Sequence, residues 1–232
     1  MYSHRIVAKT FGVFFILTFL SYGVGTSLID AIISTPDFLS HVYAEKTTLV
    51  IGIILTGLVH SFMNIGLPVI MLPILKPYNE HLTYGYLCAA FLATTILAVG
   101  SIFSLLLLPL SEEYAKADVT QAQTIETVGY LLKEGGYYSY HMGMAMWSIG
   151  GLMLVALLYE SNLIPRTLSA GGFIGYLFLV TGSTMALFQQ SNVVEVVSVI
   201  PGGLFEITLS IWLIIKGFNT SAIALDVVLI NA

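Results

Sequence analysis

The chain has 232 residues, of which 57% are hydrophobic and only 9% are charged, and its mean hydropathy is +0.91. Since a soluble domain carries about 25% charged residues, this composition excludes a soluble protein and predicts an integral membrane protein. The formal net charge of -5, with no basic patch and no glycine-rich phosphate loop, gives no indication of a nucleic acid or nucleotide partner.

Six apolar segments are long enough to cross a membrane, which takes about 20 residues in a helix. In chain order they are residues 11–33, 47–72, 82–110, 137–159, 168–188 and 201–217. They predict an all-α polytopic membrane protein, in which residues 1–232 form one domain built as a bundle of six transmembrane helices. The first segment is too long for the apolar part of a signal peptide, so we interpret it as a retained span. Residues 218–232 form a tail too short to cross the membrane.

The sixth span has two alternative starts, which place its residues at different depths. It begins at Val193 and is interrupted at Pro201, or it begins with Pro201 as its first helical residue. Proline is well tolerated at the first position of a helix because its missing N–H would have no partner there. This favours the start at Pro201 and places Glu206 about one and a half turns into the span.

The basic residues predict which way the bundle faces. Arg5 and Lys9 precede the first span, and connections on the same side contain Lys76, Arg166 and Lys216. Lys and Arg are enriched in cytoplasmic connections, and the acidic residues fall mostly on the other side. Because the number of spans is even, we expect both the N-terminus and the C-terminus to be cytoplasmic.

The largest connection, residues 111–136, contains the pattern of a short amphipathic helix on the outer surface. Asp118 and Gln121 have the spacing of a capping box, and Gly135-Gly136 is expected to end the helix. The apolar residues at helical spacing are Val119, Ala122, Ile125, Val128 and Leu132. The other interpretation of this segment is an acidic loop with some helix and no partner.

The second span carries a stripe of small and polar residues. Gly52, Thr56, His60 and Asn64 are spaced four apart, so they share one helix face. This face is expected to contact protein rather than lipid. Its polar groups either form hydrogen bonds that hold helices together or belong to a binding site.

Three further ionisable residues lie at similar predicted depth near the outer boundary. They are Asp30 at the end of the first span, His141 near the start of the fourth, and Glu206 in the sixth. An ionisable residue inside a membrane is costly and therefore a candidate functional residue. If the helices bring these faces together, Glu206, His60, Asn64, His141 and Asp30 form an outward-opening polar pocket.

Several segments of this chain together resemble a bacterial membrane family known as domain of unknown function 4386. The segments that carry the resemblance are Leu72-Pro73-Ile74-Leu75-Lys76, Asn79-Glu80, Gly85-Tyr86, Leu163-Ile164-Pro165-Arg166-Thr167-Leu168-Ser169, and Pro201…Glu206-Ile207…Ile211-Trp212-Leu213-Ile214-Ile215-Lys216-Gly217-Phe218. The resemblance covers nearly the whole chain and implies a six-helix protein of the bacterial inner membrane. It implies no activity, and no catalytic residue is carried over from it.

The sequence leaves three functions open. The first is a non-enzymatic protein that binds or moves a proton-linked small solute, with Glu206 as its ionisable centre. The second is an intramembrane metal-dependent lipid hydrolase with His60, His141 and Glu206 as ligands, although no contiguous metal-binding motif is present and the single cysteine, Cys88, excludes a cysteine cluster. The third is a structural or accessory membrane subunit that lies in the lipid bilayer and binds no ligand. We predict no catalytic residue, no metal and no cofactor.

Overall fold

The structure is a computed structural model, and it describes residues 4–188 and 192–219, with the backbone alone for residues 192–196. Within these residues the chain is helical. The helices are α1 (His4–Ile33), α2 (Phe38–Ala44), α3 (Lys46–Ile53), α4 (His60–Leu75), α5 (Glu80–Tyr114), α6 (Val119–Ser161), α7 (Arg166–Ala186) and α8 (Asn192–Ile215). A π-helical segment, Ile54–Val59, joins α3 to α4. Six helices are long and apolar enough to cross a membrane, which confirms the predicted six-span all-α fold.

The bundle has two ends, which we name by the chain segments found there. At the terminal end α1 begins and α8 ends, and at the distal end α1 ends and α6 begins. Each end has its own apolar core. Phe11, Leu75 and Leu158 are fully buried in the terminal core, whereas the short helix α2 contributes Phe38 to the distal core beside Leu107.

Helix α8 runs through Pro201, whereas the sequence favoured a start at that residue. Proline removes one backbone hydrogen bond from a helix interior, but membrane helices tolerate this where neighbouring groups compensate. The helix begins at Asn192, so Glu206 lies about 21 Å along it at 1.5 Å per residue. Glu206 is therefore much deeper in the bundle than the sequence suggested.

Helix α6 unites the predicted surface helix and the fourth span in 43 continuous residues. Its start is capped as predicted: the Asp118 carboxylate accepts hydrogen bonds from the backbone N–H groups of Thr120 and Gln121, both at 2.9 Å. The glycine pair does not end the helix. A Cβ on Gly135 would meet the ring of Phe103 at 3.0 Å, so this glycine allows α5 and α6 to pack closely.

Other glycines permit close contacts between helix backbones, as small residues do in membrane proteins. A Cβ on Gly175 would lie 2.9 Å from the Pro201 carbonyl oxygen and the Gly202 Cα. A Cβ on Gly172 would meet the ring of Phe205. Gly171, four residues before Gly175, faces open space, so Gly172 and Gly175 form the packing face of α7 toward α8.

The end of the described chain folds back onto the turn between α6 and α7. The backbone N–H of Asn219 donates to the carbonyl oxygen of Leu163 at 2.8 Å, and Phe218 is buried. Residues 220–232 of the predicted tail lie outside the described residues.

Candidate functional site

A cavity of about 680 Å³ with a mixed polar and apolar lining lies in the distal half of the bundle, between α1, α5, α6, α7 and α8. Its floor is near the middle of the second span, at Thr56. Its rim reaches the distal end, where Asp30, Ser34 and Glu134 line it and are exposed. The cavity therefore extends from the distal surface to about the middle of the bundle.

Helices α1 and α6 form two polar walls of this cavity. On α1, Tyr22, Thr26 and Asp30 line it, and their spacing of four residues places them on one face. On α6, the wall includes Tyr137 and His141. His141 is only 5% exposed, and its ring centroid lies 4.4 Å from that of Tyr137.

The two walls meet through their aromatic rings. Tyr22 of α1 and Tyr140 of α6 are stacked, with ring centroids 6.0 Å apart and an interplanar angle of 22°. Tyr140 also contacts His141 edge to face at 4.9 Å. The cavity thus has an aromatic side formed by three tyrosines and a histidine, the third tyrosine being Tyr137.

The floor of the cavity is formed where the second span departs from α-helical geometry. Thr56 lies in the π-helical segment Ile54–Val59, and its hydroxyl is 3.3 Å from the Ser101 hydroxyl of α5. Segments of π-helix are rare and occur frequently at functional sites. This local geometry, at the cavity floor, supports a functional role for the distal half of the bundle.

At the rim, the charge of Lys133 is directed toward the end of α1. Its ammonium donates a hydrogen bond to the carbonyl oxygen of Ile33 at 2.6 Å and lies 4.5 Å from the ring centroid of Phe38. A cation is favourable at a helix C-terminus because the final carbonyl groups carry partial negative charge. Lys133 therefore ties α6 to α1 at the cavity rim.

His60 and Asn64 lie outside the cavity lining. The His60 ring packs 4.8 Å from that of Tyr22, and its Nδ1 is 3.3 Å from the Thr18 carbonyl oxygen. The Asn64 amide donates to the Thr94 hydroxyl at 2.9 Å. The whole stripe from Gly52 to Asn64 is buried, so it faces protein as predicted, and His60 supports the cavity from behind Tyr22.

Glu206 belongs to a separate buried polar group deeper in the bundle. Its Oε1 accepts hydrogen bonds from the Trp147 indole at 2.9 Å and from the Tyr176 hydroxyl at 2.8 Å. The hydroxyl of Tyr86, buried with an exposure of 1%, has no hydrogen-bond partner among the described residues. We call Glu206, Trp147, Tyr176 and Tyr86 the Glu206 cluster.

A glycine makes room for this cluster. A Cβ on Gly151 of α6 would overlap the ring of Tyr176, so only glycine lets that ring lie flat against the helix. Tyr176 then reaches Glu206 with its hydroxyl. The cluster consequently joins α6, α7 and α8 through a single carboxylate oxygen.

Comparison with known protein families identifies one that covers both the cavity and the Glu206 cluster. The family model described as Domain of unknown function (DUF4386) matches residues 10–217. The chain belongs to this family. No curated protein and no solved structure matches it.

Within this DUF4386 chain, the five predicted site residues fall into three places. Asp30 and His141 line the cavity, His60 and Asn64 lie behind its wall, and Glu206 is held by two aromatic donors. Among the described residues no group of three His, Cys, Asp or Glu side chains could hold a metal ion. The structure therefore does not assemble His60, His141 and Glu206 as a ligand set.

The sequence analysis missed the partners of Glu206, and a signal for them was present. Trp147 and Tyr176 lie in the middle of apolar spans, and a buried indole N–H or phenol O–H usually finds a hydrogen-bond partner. Glu206 reaches the same depth only if the sixth span starts near Val193, the alternative that was not favoured. With that start, counting donors as well as acceptors at each depth would have favoured these two residues over the histidines.

Proposed function

We propose that this DUF4386 protein binds a small polar solute in the distal cavity, from the outer side of the bacterial inner membrane. The observation that carries the proposal is the cavity itself, whose volume of about 680 Å³ falls within the range of small-molecule sites, roughly 300–1,000 Å³. Its lining combines tyrosine rings with hydroxyl, carboxylate and imidazole groups. Such mixed linings orient a solute through a few placed polar groups.

The outward orientation is part of the proposal. Arg5 and Lys9 lie in the sequence that starts α1 at the terminal end, and Lys216 follows α8 there. The excess of basic residues on the cytoplasmic side supports cytoplasmic termini. The distal cavity then faces the outside.

Asp30 and His141 are the predicted site residues that line the cavity, and we assign direct solute contact to them. Both are ionisable, so a solute whose binding or movement is linked to a proton remains part of this proposal. Glu206 takes a different role from the one expected. Because Trp147 and Tyr176 already occupy its Oε1, we assign it to positioning α6, α7 and α8.

Cysteine labelling in intact cells tests whether solutes enter the cavity from outside. Cys88 is exposed, so Cys88→Ala provides the background. In this Cys88→Ala background, Ser183→Cys places a thiol on the cavity lining. Ser148→Cys instead places a thiol at a fully buried position. Small membrane-impermeant methanethiosulfonates, one cationic and one anionic, are added outside, and we expect at least one to label the Ser183→Cys variant much faster.

A pair of glycine variants controls for the path of the reagent. Gly136 lines the cavity, and a Cβ there would meet no atom closer than 3.9 Å, so Gly136→Leu adds a side chain to the lining without a clash at its Cβ. Gly171 is exposed and faces open space, so Gly171→Leu is the matched control. Gly136→Leu should slow labelling at residue 183 and Gly171→Leu should not. Equal labelling of Ser183→Cys and Ser148→Cys by both reagents would refute the proposed function.

A further inference from the structure

We propose that the solute is a small organic cation, an ammonium compound that carries a hydroxyl group. This inference rests on the proposed function and adds the chemical class of the ligand. It is carried by three features of the distal cavity, namely carboxylates without counter-ions, an aromatic side, and a buried hydroxyl without a partner.

The rim of the cavity has two carboxylates and no ion pair. Asp30 and Glu134 both line it, and neither takes part in the ion pairs found among the described residues, which are Lys46–Glu112, Lys76–Glu80 and Lys116–Glu113. Lys133 also lines the cavity, but its ammonium is bonded to the Ile33 carbonyl oxygen. A cationic ligand would therefore meet two carboxylates that form no ion pair with a described side chain.

The aromatic side lies next to these carboxylates. Tyr22 is two turns below Asp30 on the same face of α1, and its ring stacks with that of Tyr140. Tyr137 adds a third ring, about one turn from Tyr140 on α6. Ammonium groups are attracted to aromatic faces within about 6 Å, and quaternary ammonium ligands are recognised by cages of such rings.

A buried hydroxyl supplies the third feature. Ser183 of α7 is only 3% exposed and lines the cavity, and its side chain makes no hydrogen bond to any described residue. Since Ser183 lies on the cavity lining, a ligand hydroxyl would supply the hydrogen bond that no described residue makes to it. Because its ammonium would lie at the rings and carboxylates, such a ligand is an amino alcohol.

Other ligand charges fit this lining less well. An anion would approach two carboxylates at the rim, and like charges at short range are unfavourable. A neutral polar solute would displace water from Asp30 and Glu134 without bringing a positive charge to these carboxylates. The arrangement thus favours cations over solutes of equal shape.

Choline and 3,3-dimethyl-1-butanol test this preference directly, because the neutral alcohol has the shape of choline without its charge. Each is used to protect the Ser183→Cys variant from the thiol reagent that labels it fastest, in the Cys88→Ala background. Both compounds carry the same hydroxyl group, so replacing the Ser183 hydroxyl by a thiol affects them alike and leaves the charge comparison intact. We expect choline to protect at a concentration lower by about 10-fold or more, the size of effect that desolvated cation–π and charge contacts give. We also expect the cationic reagent to label faster than the anionic one.

Charge variants at the rim identify the source of the preference. Asp30→Asn/Glu134→Gln should remove most of the preference for choline, measured as protection of residue 183. Glu113→Gln/Glu160→Gln, which removes two exposed carboxylates outside the cavity lining, should leave it unchanged. Circular dichroism melting checks that both variants fold, and single replacements at Asp30 and Glu134 substitute for the double variant if it does not.

The outcomes separate this inference from the proposed function. If residue 183 is labelled but choline protects no better than the neutral alcohol, or neither protects at 10 mM, roughly the weak limit of useful affinity, the cation assignment is overturned and the cavity remains. A preference for choline that survives loss of both carboxylates also overturns it. If residue 183 is not labelled at all, the proposed function itself is refuted.

Discussion

Replacing Glu206 by leucine or by glutamine should have very different consequences for stability. The Glu206 carboxylate is the acceptor for the Trp147 indole and the Tyr176 hydroxyl. Glutamine keeps an acceptor oxygen at the same position and removes only the charge. Leucine has a similar size but leaves both donors without a partner inside the bundle.

The expected difference follows from the two orphaned donors. A buried donor left unsatisfied costs about 1–3 kcal/mol in soluble proteins, whereas individual hydrogen bonds in a membrane protein average about 0.6 kcal/mol. Two donors therefore place Glu206→Leu about 1–6 kcal/mol below Glu206→Gln in free energy of unfolding. Glutamine is the reference because neither glutamine nor leucine carries a charge. The cost of burying a charge therefore does not enter the difference between the two variants.

Unfolding by sodium dodecyl sulfate in mixed micelles measures this difference, with Trp147 fluorescence as the signal. A Trp212→Phe background leaves Trp147 as the single tryptophan of the chain, so its emission also reports loss of the indole hydrogen bond. Thr208→Val, at an exposed position on the same helix, is the control for changes on the lipid-facing side. If glutamine and leucine destabilise equally, or if neither changes the midpoint, the hydrogen-bond account of Glu206 is refuted.

Three further substitutions test the packing described above. Gly151→Val should overlap the Tyr176 ring and lower stability by at least about 1–3 kcal/mol, the usual cost of overpacking, whereas Gly171→Val faces open space and should change the unfolding midpoint little. Lys133→Met should destabilise by about 1 kcal/mol through loss of the bond to the end of α1, measured by thermal unfolding at two salt concentrations, and an unchanged midpoint would contradict this. Asn64→Leu should cost about 0.6–1.7 kcal/mol, the range for membrane hydrogen bonds, and a stabilised variant would show that the amide is not a helix contact.

The six spans could be predicted because burying apolar side chains in lipid dominates the free energy of each segment. Helix ends were harder to predict, as Pro201 and Gly135 show. Both residues disfavour helices when judged locally. In the bundle, Gly135 packs against Phe103 and α8 continues through Pro201, so tertiary contacts decide the outcome.

The candidate site was predicted in part, and the error at Glu206 has a physical origin. The start of α8 at Asn192 moves Glu206 about two and a half turns deeper than a start at Pro201. Depth was the argument that linked Glu206 to Asp30 and His141, so this shift separates them. Asp30 lies three residues before the end of α1, which was predicted correctly at Ile33. His141 keeps its distal position although α6 begins earlier than the predicted span, at Val119, so both residues line one cavity.

The cavity and the Glu206 cluster are separate regions that share four helices, α5, α6, α7 and α8. Helix α6 supplies His141 to the cavity and Trp147 to the cluster, and α8 supplies Ser198 to the cavity and Glu206 to the cluster. A carboxylate that joins α6, α7 and α8 fixes the relative position of three of the cavity walls. Under the proposed function, Glu206 therefore serves the binding site by positioning its walls without touching the solute, and the hydrogen bonds from Trp147 and Tyr176 offset part of the cost of burying its carboxyl group.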